Sequence, residues 1–471
     1  MKKIIKILLI ISIIFGLYRI YPYFFSDVPL WYDPGLYRVM FYQYINNLPN
    51  IDFSNLYLWV KQTYPPFLWI LWDIFHIVWF NVDFLLTFGL WFSSIITSIF
   101  VYALLKKYWK IAWFLWIIIF LLSIIQYKAF WWNYYKQIIW IIFILAGIYL
   151  LEKRKNILLV PILMSLFTIH RPSWLYFLLI IIVYRLLRYF FYKEKDYKDL
   201  IYIWLAWIIA FLMYLPFLNE LILPLLKPLI TTVWAWHSGT FFSKLEFWKL
   251  EFLIIITSFY WFYLKIKKRD FDLIFSWYVV WALWVWLGLF FYNRFYIFFD
   301  VFIILLSAYG FYNIYSSNKK IFYILFLVFF WIQSVMYISY LNKNGHALID
   351  TDEFNTIKKI NNIVESGSIM MVTHKNYSPW IHWYTLKSTI APWLFDWNLW
   401  WLDNWKQWWF SHWDFKCSIL KEYIDKYHKN IYIWLWKRQP KSNYSWDCFE
   451  MVLNWNDYKL LKVNKDYYEN K

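Results

Sequence analysis

IFYILFLVFFWIQSVMYISYL, residues Ile321–Leu341, carries no charge across 21 positions and follows directly on Lys319 and Lys320. A bilayer core about 30 Å thick needs about 20 apolar residues in a helix that rises 1.5 Å per residue. The stretch therefore reads as a membrane span with its basic flank on the cytoplasmic side. Toward the N-terminus, comparable runs recur at 4–25, 84–105, 111–127, 135–151, 157–169, 172–190, 199–217, 251–264, 272–291 and 295–314. Beyond Leu341 they stop, and the last 130 residues are polar enough to form a soluble domain. Composition agrees: 62% of the 471 residues are hydrophobic and 16% are charged, against about 45–50% and about 25% in an average globular domain.

Lys2, Lys3 and Lys6 precede the first run, and no small-residue cleavage site follows it. This predicts an uncleaved first span with its N-terminus in the cytoplasm. If the apolar stretch after Tyr64-Pro65-Pro66 lies in the interface, every basic cluster between spans falls on one side. Those clusters are Lys106–Lys110, Lys153–Lys155, Arg185–Lys198, Lys265–Arg269 and Lys319–Lys320. The expected fold is thus an α-helical polytopic membrane protein of about eleven spans. Residues 1–341 form the transmembrane domain, with a first outer loop at 26–64, and 342–471 form an extracytoplasmic α/β domain. A multi-pass protein of the plasma membrane follows. The net charge of +18 then belongs to inner loops facing anionic lipid, not to nucleic acid.

Within 342–471, Asp350 and Glu353 suit a helix cap, and Phe354, Ile357, Ile360 and Val364 share one apolar face. Ile369–Thr373 and Ile431–Leu435 read as strands, and Phe449–Val463 as a hairpin. The two cysteines, Cys417 and Cys448, both lie here, and an outer location permits a disulfide between them.

Glycine and tryptophan counts are out of proportion. There are 9 Gly and 38 Trp, where about 7% glycine is usual. Many Trp sit where Gly is expected: inside spans (Trp113, Trp116, Trp204, Trp207, Trp281, Trp284, Trp286) and in Asn454-Trp455-Asn456-Asp457 between two strand-like runs. We expect that UGA encodes glycine in the source and that many printed Trp are Gly in the cell. For that reason no Trp is read here as a stacking platform for sugar.

The chemistry-bearing stretch is Asp27-Val-Pro-Leu-Trp-Tyr-Asp33-Pro-Gly-Leu-Tyr-Arg38, just outside the first span. A carboxylate held at the membrane surface can take the proton from an attacking hydroxyl in an inverting glycosyl transfer. Asp33-Pro34-Gly35 is equally a set of turn formers.

This stretch, the downstream Tyr64-Pro65-Pro66-Phe67, and Phe130-Trp131-Trp132-Asn133 before the fourth span resemble the type C (GT-C) membrane glycosyltransferases. The likeness is strongest to the protein mannosyltransferase and aminoarabinose transferase branch. Tyr377–Tyr384 followed by Ile390–Asp396 is similar to a segment of uncharacterised bacterial and archaeal relatives, more so with Gly at 383 and 393. The resemblance implies a polyprenyl-phosphate sugar donor, an extracytoplasmic site, and an outer-loop aspartate as general base. That role maps onto Asp33, with Asp27 as second candidate. Many such proteins carry an acidic pair where Pro34 follows Asp33 here, which leaves the base and any divalent metal open.

A departing phosphate needs cations. Arg294, in a short outer turn, Arg171 beside His170, and Lys61 are the candidates, with interface snorkelling and simple solvation as their ordinary roles. Tyr64, His170 and His237 can line the acceptor side. Asp300 lies inside a span, six residues after Arg294, where a charge is costly and either functional or structurally paired. No metal-ligand spacing or glycine-rich phosphate loop occurs, so no metal or other cofactor is indicated. The expected function is sugar transfer from the lipid phosphate to a glycan, lipid or protein acceptor. A transporter or flippase, and a non-catalytic scaffold, are the competing readings; few ionisable residues in the spans and no repeated halves speak against transport.

Overall fold

The computed structural model describes residues 2–17, 19–24, 28–31, 34–35, 37–38, 41, 82–106, 110–132, 134–169, 171–195, 198–215, 241–288, 292–373, 377–385, 387–392, 399–400, 402–410, 413–435, 447–455 and 458–469. The chain forms two compact units: 1–25 with 62–346, and 26–61 with 347–471.

The first unit is helical. In chain order it holds α1 (Lys2–Leu17), α2 (Val82–Leu105), α3 (Lys110–Leu122), α4 (Ile124–Trp131), α5 (Tyr135–Glu152), α6 (Leu159–Ile169), α7 (Arg171–Tyr192), α8 (Lys198–Tyr214), α9 (Lys244–Lys267), α10 (Leu273–Leu287), α11 (Tyr292–Ser317) and α12 (Lys319–Asn344). Each apolar run of the sequence falls on one of these helices or on the α3–α4 pair. Among the described residues, five helices (α2, α5, α9, α11 and α12) are long and apolar enough to cross a membrane alone, and six if the bent α3–α4 pair is one span. Helix α11 is the most enclosed of them and runs through the middle of the bundle. Gly310 lets α9 come close to it, since a Cβ there would lie 2.9 Å from the Thr257 carbonyl oxygen.

At the end carrying the basic loops, ion pairs tie neighbouring helices together. Arg185 on α7 meets the buried Asp199 of α8 at 2.7 Å, and Lys265 on α9 meets Asp270 at 2.7 Å and also Asp272. Arg154, Lys193 and Arg269 follow α5, α7 and α9 with φ of 54°, 59° and 51°, the left-handed position that ends many helices and is usually glycine.

The 111–127 run, expected to be one span, is broken at Ser123, where α3 and α4 meet at 56°. A break in a membrane exposes backbone groups that must be satisfied by protein. Ser123 caps α4 through the Gln126 amide. The Ile124 and Ile125 amides donate to Glu251 of α9 at 3.1 and 3.3 Å. On the other side, Arg19 donates to the Phe120 and Leu121 carbonyls at 3.1 and 2.9 Å, and Gln333 of α12 to the Leu122 carbonyl at 3.2 Å. An anion at the start of one helix and a cation at the end of the other also match the helix dipoles.

The second unit is a three-layer α/β/α domain. Its sheet runs β2-β1-β3-β5-β4, from β1 (Ile369–Val372), β2 (Ser388–Ile390), β3 (Ile431–Leu435), β4 (Phe449–Trp455) and β5 (Tyr458–Val463). Strands β1, β2 and β3 are parallel, and β5 is antiparallel to β3 and β4. Alternation along β1 sends Met370 and Val372 to one face and Ile369 and Met371 to the other. The first face packs α13 (Thr351–Ile363) and α14 (Ser378–Thr385), and the second packs α15 (Leu402–Phe410) and α16 (Trp413–Tyr427). Cys417 on α16 and Cys448 before β4 are bonded, with Cα atoms 6.1 Å apart. The hairpin differs from expectation: Asn454 and Trp455, expected in the turn, belong to β4, where they pair with Lys459 and Tyr458.

Seven tryptophans (Trp116, Trp140, Trp261, Trp277, Trp281, Trp380 and Trp434) bury an indole N–H that has no hydrogen-bond partner. Each such orphan costs about 1–3 kcal/mol, and Trp normally finds a partner when buried. Glycine at these positions would carry no such cost. None of the described Trp has the positive φ that would demand glycine.

Candidate active site

Two stretches singled out in the sequence, more than 330 residues apart, pack against each other inside the second unit. Val28 belongs to the core shared by α13, α14 and the sheet. Leu30, Tyr37 and Phe41 are also buried. Gly35 lies against α14, where an added Cβ would stand 2.9 Å from Trp383 Cβ and 2.9 Å from Tyr384 Cε2. The Arg38 guanidinium sits 5.7 Å from the centre of the Tyr384 ring, within cation–π range. The segment that carries the expected base is thus anchored by Val28 on one side and by Pro34, Gly35 and Arg38 on the other. Asp27 and Asp33 themselves lie outside the described residues; Asp33 is bonded to the buried, helical Pro34.

On α14, His382 is half-buried and its Nδ1 lies 2.5 Å from the Lys387 carbonyl oxygen, to which it donates. Burial pushes the imidazole down to about 4, so it is neutral at physiological pH and serves to hold α14 to β2.

In the first unit, cations gather at the end opposite the basic loops. Lys128, near the end of α4, is almost fully buried. Its ammonium donates to the Phe241 carbonyl at 3.3 Å and lies 3.7 Å from the Phe242 ring centre and 4.4 Å from that of Trp132. Lys244, at the start of α9, donates to the Trp286 carbonyl at the end of α10 and stands 4.8 Å from the Tyr292 ring at the start of α11. Arg294 follows in the first turn of α11, half-buried, and Lys136 is buried in the first turn of α5. The expected phosphate partner Arg294 therefore stands at an end shared with Lys128, Lys136 and Lys244, three lysines that sequence reasoning missed. Lys128 falls between the apolar runs 111–127 and 135–151, and no local signal marks its aromatic enclosure.

Arg171 opens α7. Lys61, Tyr64, His170 and His237 lie outside the described residues. Among the described residues no group of three or more His, Cys, Asp or Glu is arranged to hold a metal.

No protein-family model and no curated protein matches this chain. Solved structures do. The Archaeoglobus fulgidus oligosaccharyltransferase in its apo form superposes with a TM-score of 0.65 at 12% identity, covering 92% of this chain and 69% of that one. The same organism's oligosaccharyltransferase AglB, in complex with an inhibitory peptide and a dolichol-phosphate, gives 0.64 at 13% identity over the same shares. The enzyme tethered to an acceptor peptide containing the NVT sequon gives 0.57 at 13% identity. Identities this low speak for architecture alone. Over 92% of its length, this chain has the fold of a GT-C glycosyltransferase, of which archaeal AglB is one.

Proposed function

We propose that the protein is an integral-membrane glycosyltransferase that moves a sugar from a polyprenyl-phosphate-linked donor to an acceptor outside the cytoplasm. The observation that carries this reading is a fold shared over 92% of the chain with an oligosaccharyltransferase that has been solved with dolichol-phosphate. Asp33, with Asp27 as the alternative, accepts the proton of the attacking acceptor as its new bond to the anomeric carbon forms and the bond to the lipid phosphate breaks. Arg294, Arg171 and Lys61, with Lys128, Lys136 and Lys244, supply the positive charge the departing phosphate needs. The polarity follows the basic loops: N-terminus cytoplasmic, about eleven crossings, and residues 342–471 outside in a plasma-membrane protein. One neighbour has been solved tethered to an acceptor peptide, which makes a peptide the first acceptor to try, ahead of glycan or lipid.

The test uses full-length protein in lipid nanodiscs, given polyprenyl-phosphate sugars and each acceptor class. Asp33→Asn is expected to lower transfer by about 10²-fold or more while leaving the melting temperature unchanged. Wild-type rates in both Asp33→Asn and Asp27→Asn overturn the enzymatic reading. An impermeant thiol reagent that labels a cysteine placed at 31 only from the cytosol overturns the polarity.

A further inference from the structure

The α3–α4 joint holds more acceptors than donors. Glu251 Oε1 takes the Ile124 and Ile125 amides. Asp300 Oδ2, on α11, accepts from Ser123 Oγ at 2.7 Å and from Gln126 Nε2 at 2.9 Å. Ser123 Oγ is also 3.3 Å from Glu251 Oε1, but a hydroxyl has one hydrogen, so both carboxyl groups lean on the same donor. Glu251 and Asp300 are each wholly buried. The second oxygen of each, Glu251 Oε2 and Asp300 Oδ1, is buried without a hydrogen-bond partner, and so is Gln333 Oε1 on α12.

Charge tells the same story. The groups facing the joint are Arg19 after α1, Ser123, Gln126 and Tyr127 at the start of α4, Glu251 on α9, Asp300 on α11, and Gln333 and Tyr337 on α12. Arg19 directs its hydrogen bonds to the α3 carbonyls and to Tyr337 Oη at 3.3 Å. With both carboxyls ionised, one cation faces two anions in a medium where an uncompensated charge is very costly. Two carboxylates that share a site hold a proton between them. Glu251, beneath two helix amides, is the one suited to stay ionised.

We propose that Glu251 and Asp300 form a single-proton site, in which an Asp300 O–H supplies the donor the cluster lacks. Loss of that proton to solvent leaves two adjacent carboxylates and loosens the joint that carries α4 and Lys128. The proposal does not depend on the glycosyltransferase reading.

Unfolded carboxyls release their proton near pH 4, so a folded state that retains one loses stability as pH rises. Full-length protein in nanodiscs is melted from about pH 6 to about pH 9, with choline replacing sodium at constant ionic strength. The wild-type midpoint is expected to fall by several degrees, and Asp300→Asn, which imitates the protonated acid, to give a much flatter profile. An equal fall in Asp300→Asn overturns the proposal. So does a sodium-dependent recovery of the wild-type midpoint at high pH, which would make this a metal-cation site. If Asp300→Asn does not fold, infrared spectra of the wild type decide. A deuterium-sensitive C=O band of a protonated carboxyl at about pH 7, lost on alkalinisation, is expected, and absence of any such band overturns the assignment.

Discussion

Gly35→Ala is the sharpest probe of the contact between the first outer segment and α14. The added methyl would meet Trp383 Cβ and Tyr384 Cε2 at 2.9 Å and Trp383 Cε3 at 3.1 Å. Carbon atoms rest at about 3.5–4.0 Å, so the segment or the helix must yield by something under 1 Å. Overpacking of this kind costs about 1–3 kcal/mol. Asp33 is two residues away, and a displacement near 1 Å at reacting groups can cost about 10²-fold in rate. The expected result is a loss of about 10–100-fold in kcat/KM for sugar transfer, with the terminal domain still folded. Trp383→Gly in the same chain removes two of the three close atoms and should restore part of the rate, leaving the Tyr384 contact. Gly35→Ala activity within about two-fold of wild type, in a preparation where Asp33→Asn is inactive, would refute the idea that this packing positions the base. If the native protein already has Gly at 383, the single substitution should cost near the low end of that range.

Replacing Cys417 and Cys448 together by Ala releases a link across a 31-residue separation and should lower the stability of the terminal domain by about 3–4 kcal/mol; a melting midpoint unchanged by this, or by reductant, would argue against it. Arg185→Ala leaves the buried Asp199 carboxylate without its partner and should destabilise the helical unit by about 3–5 kcal/mol, read as a lower midpoint in nanodiscs. His382, held near 4 by burial against about 6.5 unfolded, contributes stability that is complete above about 6.5 and is lost as pH falls toward 4. The contribution is of order 3 kcal/mol, and His382→Gln should flatten that acid limb. Peptide mass spectrometry of the native protein is expected to find Gly at 281 and 434; tryptophan at both ends the recoding idea.

The helices and the terminal domain were legible because their signals are local. Phe354, Ile357 and Ile360 recur at helical spacing and enter one core. Ile431–Leu435 is a short apolar run and forms the strand between β1 and β5. The break at Ser123 was not legible. Leu121-Leu122-Ser123-Ile124 contains neither Pro nor Gly, and the groups that stabilise it, Arg19, Glu251 and Gln333, come from distant parts of the chain. Asp300 could be recognised as an unusual charge within a span, but its partners could not be named, because Ser123 and Gln126 look like ordinary polar interruptions. The packing of Val28 and Gly35 on the terminal domain was equally hidden. Proximity in sequence assigned 26–64 to the membrane part, whereas 26–61 cluster with 347–471 and Val28 enters that unit's core.

The broken helix also explains where Lys128 comes to rest. It lies five residues beyond Ser123, about 7.5 Å along a helix axis. Bending that axis by 56° swings its backbone by about 7 Å from the position a continuous helix would give. Along this bent path its ammonium reaches the Phe242 ring and the Phe241 carbonyl. The groups that stabilise the bend are therefore also the groups that hold a lysine at the cationic end of the bundle. Glu251 sits seven residues inside α9 from Lys244, roughly 10 Å below that end, so two turns of one helix separate the joint from the cations. In the proposed single-proton site, deprotonation of Asp300 would therefore act on the same Ser123 and Gln126 contacts that hold the bend preceding Lys128.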